Sequence, residues 1–177
     1  MRRTIVYITL CLLTLCPLCA NAQRWGKVQE FQKIPGDSIS YTNKNKKCIT
    51  DFVTYTCSGS DNTKFGYYPS ILSGYISILL PDNGSTVTTT KISDLVGLQI
   101  IHDPYAICEN VQVYISLDSA KWELVSVEGT HKTGSIDIPT FMHDSYYVKI
   151  TNTTTSIFAI RSISYFMEKC NCFRYVE

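Results

Sequence analysis

The pattern of apolar and polar positions along this chain alternates with a period of two, and that period predicts strands. It is clearest in VQVYISL, residues 111–117. Val111, Val113, Ile115 and Leu117 fall on one face, and Gln112, Tyr114 and Ser116 on the other. Asp118-Ser119-Ala120 forms a turn, and KWELVSVEG returns as a second strand. Similar short runs occur at ITDFVTYT, GYISILLP, STVTTTKI, LVGLQII, SIDIP and YYVKITNT. β-Branched and aromatic residues dominate them, and they fit a pleated, half-buried surface. Turn signals separate them, among them Pro81-Asp82-Asn83-Gly84 and His102-Asp103-Pro104. In the last run, IFAIRSISYFM, the apolar phase starts at Phe158 and Ile160 and then moves to Ile163 and Tyr165. A phase change inside a strand predicts a β-bulge or an edge. No stretch sustains a helical period. The expected fold class is all-β, an antiparallel sandwich with one wet face on each sheet. Residues 23–45, polar and broken by Pro35-Gly36-Asp37, are expected to be less regular.

Trp122 sits just past the 118–120 turn and shares a face with Leu124. It reads as a core plug that fixes the hairpin's register, with an exposed sugar-stacking platform as the alternative.

The N-terminus changes the picture of where this fold resides. MRRTIVYITLCLLTLCPLCANAQ opens with Arg2 and Arg3, continues with an apolar run to Leu18, and ends in Ala20-Asn21-Ala22. These are the parts of a secretory signal peptide, residues 1–22, cleaved before Gln23. The run is shorter than the roughly 20 residues a spanning helix needs. The expectation is an exported chain, periplasmic, cell-surface or extracellular. Its single domain is residues 23–177, with no membrane span after cleavage. Without Arg2 and Arg3, the 16 basic residues become 14 against 15 acidic ones, a formal charge of −1. No basic stripe is present, so nucleic acid is not an expected partner.

Export also decides how the cysteines are read. Cys11, Cys16 and Cys19 leave with the signal; Cys48, Cys57, Cys108, Cys170 and Cys172 remain as disulfide candidates. Five is odd, so one is free or links two chains into an oligomer. CITDFVTYTC, taken as one extended run, would hold Cys48 and Cys57 about 30 Å apart. A disulfide needs Cα atoms within about 7 Å. The two can pair only if the segment folds back, and a staple from these strands to the tail is the expectation. Cys170-Asn171-Cys172 has no matching Cys/His pair nearby to make a metal site.

Catalytic signatures are missing. There is no G-x-S-x-G, P-loop, G-x-G-x-x-G or H-E-x-x-H. His102, His131 and His143 are spaced by 29 and 12 residues, which matches no metal motif. The chain is therefore read as a binding protein and not an enzyme, with a polysaccharide-degrading activity as the lesser alternative. Sugars bind to aromatic faces flanked by a few polar groups. Three loop clusters offer that mixture: Tyr67 and Tyr68 in FGYYPS, His102, Asp103 and Tyr105 in HDPYA, and His143 in FMHDSYY. These six residues are the ligand-binding candidates. Two Asn-x-Ser/Thr sequons, at Asn83 and Asn152, are expected in polar turns.

The segment VYISLDSAKWELV resembles the V-x-V-S-x-D-G-x-x-W-x-x-V hairpin of galactose-binding-like, discoidin-type jelly-roll modules, found in secreted bacterial proteins. SIDIP and YYVKITNTTTSIFAIRSISYF resemble their following strands. The resemblance spans about residues 75–168. It implies a jelly-roll-like sandwich that binds carbohydrate through loops at one end, in some members with a structural calcium and otherwise no cofactor. The implied partner is a glycan, with a surface protein as the alternative for a structural or interaction subunit. The turn here has Asp118-Ser119-Ala120 where the family has glycine, and no family sugar-binding triad can be placed on this chain.

Overall fold

A computed structural model of the chain describes residues 23–32, 36–68, 75–104, 111–125, 134–138 and 145–169. Among them are fourteen strands and no helix. In chain order these are β1 (Gln23–Glu30), β2 (Ser40–Thr42), β3 (Lys47–Ile49), β4 (Thr54–Ser58), β5 (Lys64–Tyr67), β6 (Ile76–Leu80) and β7 (Thr86–Thr89). They continue with β8 (Ile92–Ser93), β9 (Leu95–His102), β10 (Val111–Ser116), β11 (Glu123–Val125), β12 (Ser135–Ile138), β13 (Ser145–Asn152) and β14 (Phe158–Lys169). Six strands make one sheet in the order β12-β9-β14-β6-β5, with β1 also on β14. The other eight make a second sheet, β11-β10-β13-β7-β4-β3-β2, with β8 on β13. All pairings are antiparallel, so the chain is the two-sheet sandwich its alternation predicts.

Alternation becomes burial. In β13, Tyr146, Val148, Ile150 and Asn152 are buried, while Ser145, Tyr147, Lys149 and Thr151 are partly exposed on the outer face. The inward faces of both sheets meet in one core. Phe31 packs edge-on against Tyr55 and Phe65, with ring centroids 5.3 and 5.5 Å apart. Fully burying such a side chain contributes about 1.5–3 kcal/mol. Tyr55 of β4 and Tyr165 of β14, both fully buried, share a hydroxyl–hydroxyl hydrogen bond of 2.7 Å across the sheets. Burial raises both phenol pKa values well above the ordinary range.

Asn152 ties the sheets together at another point. Its Nδ2 donates to the carbonyls of Leu80 in β6 (2.7 Å) and Ser156 (2.8 Å), and its Oδ1 accepts from the Thr154 amide. This side chain is fully buried, so the Asn152 sequon lies inside the sandwich and not in an open turn. Asn83 is exposed.

Three readings of the sequence are corrected. Residues 23–45 are not uniformly irregular, because β1 pairs along all eight of its residues with β14. Its polar sequence hid it; Val28 and Glu30 face solvent, and only Gln29 is buried among 26–30. CITDFVTYTC is not one extended run. Thr50 closes a turn by donating its Oγ1 to the Val53 carbonyl and accepting from the Val53 amide, and β3 folds back on β4. Cys48 and Cys57 then point into the core from neighbouring strands, as free buried thiols. His102 and Asp103 are not in a surface loop. His102 ends β9 with 1% exposure, its ring 5.0 Å from that of Phe158, and Asp103 is buried beside it. Cys108, Cys170 and Cys172 lie outside the described residues.

Two predictions follow from the core. Tyr55→Phe or Tyr165→Phe alone leaves one buried hydroxyl unpaired and costs about 1–3 kcal/mol in urea unfolding. The double variant, which removes both groups, costs less than the sum of the two. A double variant as weak as the sum would show that the hydroxyls do not act as a pair. Burial, chiefly, pushes the Cys48 and Cys57 thiols from 9.0 up to about 12. A raised thiol pKa favours the neutral form in the fold, so this stability is complete below pH 9 and lost as pH rises toward 12. The urea midpoint is expected to fall steadily over that range, and less steeply in a Cys48→Ala, Cys57→Ala double variant.

Candidate functional site

The phase change in IFAIRSISYFM is a bulge. Ile160 pairs with His102 and Ser162 pairs with Ile101, which leaves Arg161 as the extra residue on β14. A bulge bends its strand and re-aims the side chain at that point. Here it aims Arg161 toward solvent at a gap in the six-stranded sheet. β6 pairs with β14 only over residues 158–160, and β1 takes over the same edge from Ser162 onward. Between the end of β1 and the start of β6 lies a cleft of about 240 Å³. Glu30 and Gln32 line it from one side and Tyr75 from the other, with Ile101, Arg161 and Ser162 between them.

The groups in the cleft are suited to a polar ligand with an apolar face. The Arg161 guanidinium carbon is 5.0 Å from the centre of the Tyr75 ring, a cation–π contact. Tyr75 keeps 41% of its surface exposed. Arg161 and Glu30 line the same cleft, yet no ion pair joins them. The β1 side is anchored from behind, since the Tyr41 hydroxyl donates to the Phe31 carbonyl and Gln29 donates to that of Glu30. The cleft therefore presents five guanidinium N–H donors, a carboxylate acceptor, an amide and a partly exposed aromatic ring on backbone held in place.

The candidates named from sequence divide into three groups. Tyr67 ends β5 and Tyr68 follows it; Tyr67 pairs with Ile76, which lines the cleft, while neither tyrosine lines the cleft itself. Tyr67 is the most exposed of the large hydrophobic side chains described, at 71%. His102 and Asp103 are buried, and a surface ligand cannot reach them without opening the sandwich. Tyr105 and His143 lie outside the described residues. Arg161, Tyr75, Glu30 and Gln32 were not singled out from sequence. The available signal was an arginine at the one position where the alternation of the last strand slips.

Trp122 is not a core plug. It is half-buried on the outer face of the eight-stranded sheet, where its ring lies 4.4 Å from Lys149 Nζ; the Tyr114 ring lies 4.7 Å from the same atom. The turn before it explains the placement. Ser119 adopts a left-handed conformation, φ 64°, at the turn where the resembled family has glycine. Asp118 supports it by accepting hydrogen bonds from the Ala120 and Lys121 amides (2.8 and 2.9 Å) and from Ser116 Oγ. Those amide bonds hold the exposed carboxyl below its ordinary pKa. The pinned turn feeds Trp122 back toward β13 on the outer side.

Among the described residues no three His, Cys, Asp or Glu side chains gather to hold a metal ion. The structural calcium implied by the resemblance has no carboxylate cluster there. No helix among them is long and apolar enough to cross a membrane.

The fold and cleft define a β-sandwich with a polar, aromatic-walled site between strand ends. No family model matches the chain, and no curated protein does. Among solved structures it is similar to the module CpGH89CBM32-6 produced by Clostridium perfringens, with 11% identity, coverage of 66% of this chain and 94% of that one, and a TM-score of 0.47. It is similar also to the family 32 carbohydrate-binding module of Streptococcus pneumoniae EndoD, with 11% identity, coverage of 66% and 96%, and a TM-score of 0.42. A third is a family two carbohydrate esterase from Cellvibrio japonicus, with 7% identity, coverage of 82% of this chain and 34% of that one, and a TM-score of 0.41. At these identities and TM-scores the likeness says nothing of a ligand.

The hairpin turn gives one prediction. A carboxyl with a depressed folded pKa stabilises above its unfolded value and loses that effect as pH falls through the folded one. Asp118→Ala is expected to lower the thermal midpoint at pH 7, with the gap to the parent closing below about pH 4. A gap that persists unchanged in acid would mean that the carboxylate does not cap the turn.

Proposed function

We propose that this chain is an exported, non-catalytic module that binds carbohydrate in the cleft between β1 and β6. The observation that carries the proposal is Arg161, bulged out of β14 and held over the face of Tyr75 with Glu30 and Gln32 opposite. A sugar ring needs what this cleft supplies. Its C–H groups lie against an aromatic or aliphatic surface, here Tyr75 and Ile101, and its hydroxyls take and give hydrogen bonds in fixed directions. Arg161 donates to ring hydroxyls, Glu30 accepts from them, and Gln32 does either. The volume is below the roughly 300–1,000 Å³ of sites for drug-sized ligands, so the cleft takes one terminal or side-chain sugar and not a buried chain. Tyr67 and Tyr68 extend the aromatic surface for a neighbouring unit. Non-catalytic action fits the chemistry present, since among the described residues Glu30 is the one carboxylate lining the cleft and glycoside hydrolysis generally uses a pair. The signal-like sequence of residues 1–22 supports the export part of this reading.

Hydrogen bonds to a charged group contribute about 1.5–3 kcal/mol each. Arg161→Ala is therefore expected to weaken binding by about 10-fold to 100-fold, with the thermal midpoint little changed. Tyr75→Ala is expected to weaken it by a similar factor, and Tyr67→Ala by less. A glycan array followed by calorimetry on the best neutral oligosaccharide measures this. Folded parent protein that holds no glycan, or an Arg161→Ala protein that binds as well as the parent, would overturn the proposal.

A further inference from the structure

The outer face of the eight-stranded sheet has a composition of its own. Register places Leu124, Tyr114, Lys149, Thr88, Thr56 and Lys47 side by side, one from each of six consecutive strands. Tyr114, Lys149, Thr88, Thr56 and Lys47 point away from the core, because their chain neighbours Val113, Val148, Val87, Tyr55, Cys57 and Cys48 are the buried ones, and Leu124, opposite Tyr114, is itself exposed. Hydroxyls fill much of the remaining face, with Thr86 and Thr151 beside this row and Thr54 and Ser58 on β4. Outward positions on β3, β4, β7, β10 and β13 carry two lysines and no carboxylate.

Lys149 is the centre of this face. Its ammonium lies between the Tyr114 and Trp122 rings at 4.7 and 4.4 Å, and among the described residues it has no carboxylate partner. The two rings fix the charge in position without neutralising it. Beside them Leu124 leaves 58% of its surface in water. The face thus has an apolar aromatic end, a held cation, and a run of hydroxyls leading to a second cation. Neighbouring strands are about 4.8 Å apart, so Lys149 and Lys47, three strands apart, are separated by about 14 Å.

We propose that this face is a second carbohydrate site, separate from the Arg161 cleft, and that its ligand is a linear, carboxylate-bearing polysaccharide laid across the strands. A sugar face rests on Trp122 and Leu124, a uronate carboxylate meets Lys149, and the chain's hydroxyls run along Thr88 and Thr56 toward Lys47. Linear form follows from the straight row, which offers a new side chain with each strand crossed. The widely spaced single charges match a chain whose other groups are hydroxyls, more than one with a dense array of sulfates. A protein partner would need a broader apolar core than Leu124 and two rings provide.

The test uses the whole mature chain and polygalacturonate, a soluble linear polyuronate, in affinity gel electrophoresis and calorimetry. The parent protein is expected to be retarded, and more weakly as salt rises, since the ionic part is screened. Lys149→Gln and Trp122→Ala are each expected to weaken binding at least tenfold. Both side chains are on the outer face, so thermal midpoints should show both proteins folded; Lys149→Arg, which keeps the charge, should retain most of the binding. Arg161→Ala is expected to leave polygalacturonate binding unchanged, which separates this site from the cleft. The inference is overturned if the parent ignores polygalacturonate, if Lys149→Gln binds as the parent does, or if Arg161→Ala abolishes the binding. It is equally overturned if dextran sulfate binds as tightly and with the same dependence on Lys149, because the face would then be reading charge alone.

Discussion

The constraint on which this sandwich depends is that one strand must serve three partners. β14 runs for twelve residues; it pairs with β9 along one edge and with β6 and then β1 along the other. A strand that long twists, and one straight ladder could not keep it inward-facing over its whole length while the partner on one edge changes. The bulge at Arg161 resets the phase. Phe158 and Ile160 face the core before it, and Ile163, Tyr165 and Met167 after it. Without the extra residue the second half would turn its apolar set to water, because a one-residue slip reverses every side chain. The same residue that keeps the core continuous is the one expelled into the cleft. Core and site are therefore set by a single local feature.

How much of this was legible in the sequence depends on how far each element relies on its own pattern. YYVKITNT and IFAIRSISYFM bury one face against the opposite sheet, and their period of two, including the slip, reads directly; in VQVYISL it holds through Val111 and Val113 and then fails, with Ser116 buried and Leu117 exposed. β1 did not read so. Its stability comes from an eight-residue ladder with β14 more than from its own side chains, and backbone pairing leaves no mark in composition. CITDFVTYTC misled for a different reason. Thr50 and Phe52 look like strand residues, yet the Thr50 hydroxyl closes a turn that no glycine or proline announces. His102 and Asp103 looked like a turn because Pro104 follows them, but pairing of Ile160 with His102 draws the end of β9 into the core.

Trp122 marks the limit of reading a hairpin by hydrophobicity. Its apolar neighbour Leu124 is on the outer face too, opposite Tyr114, so the shared face was the wet one. Trp122 and Tyr114 remain there with the Lys149 ammonium over both of their rings. The cation–π contact gives a tryptophan a reason to stay at the surface that no apolar pattern encodes. The candidate cleft was hidden likewise. Its members come from β1, β6, β9 and β14, separated by up to about 130 positions in sequence, and only the sheet order brings them together.

The two faces of the sandwich differ because the two sheets close their edges differently. The eight-stranded sheet keeps an unbroken row across six strands, so its outer surface is continuous and its side chains repeat at strand spacing. That geometry favours an extended ligand with repeated groups. In the six-stranded sheet, the change of partner from β6 to β1 on one edge of β14 leaves a gap, and a gap favours a compact ligand held from several sides. Both surfaces use the same pair of ingredients, a cation and an aromatic ring. In the cleft the ring supports Arg161, whose planar fork directs hydrogen bonds. On the outer face of the eight-stranded sheet two rings hold Lys149, a point charge with no preferred plane. The two proposals thus assign directional recognition to the cleft and charge recognition to the open sheet face.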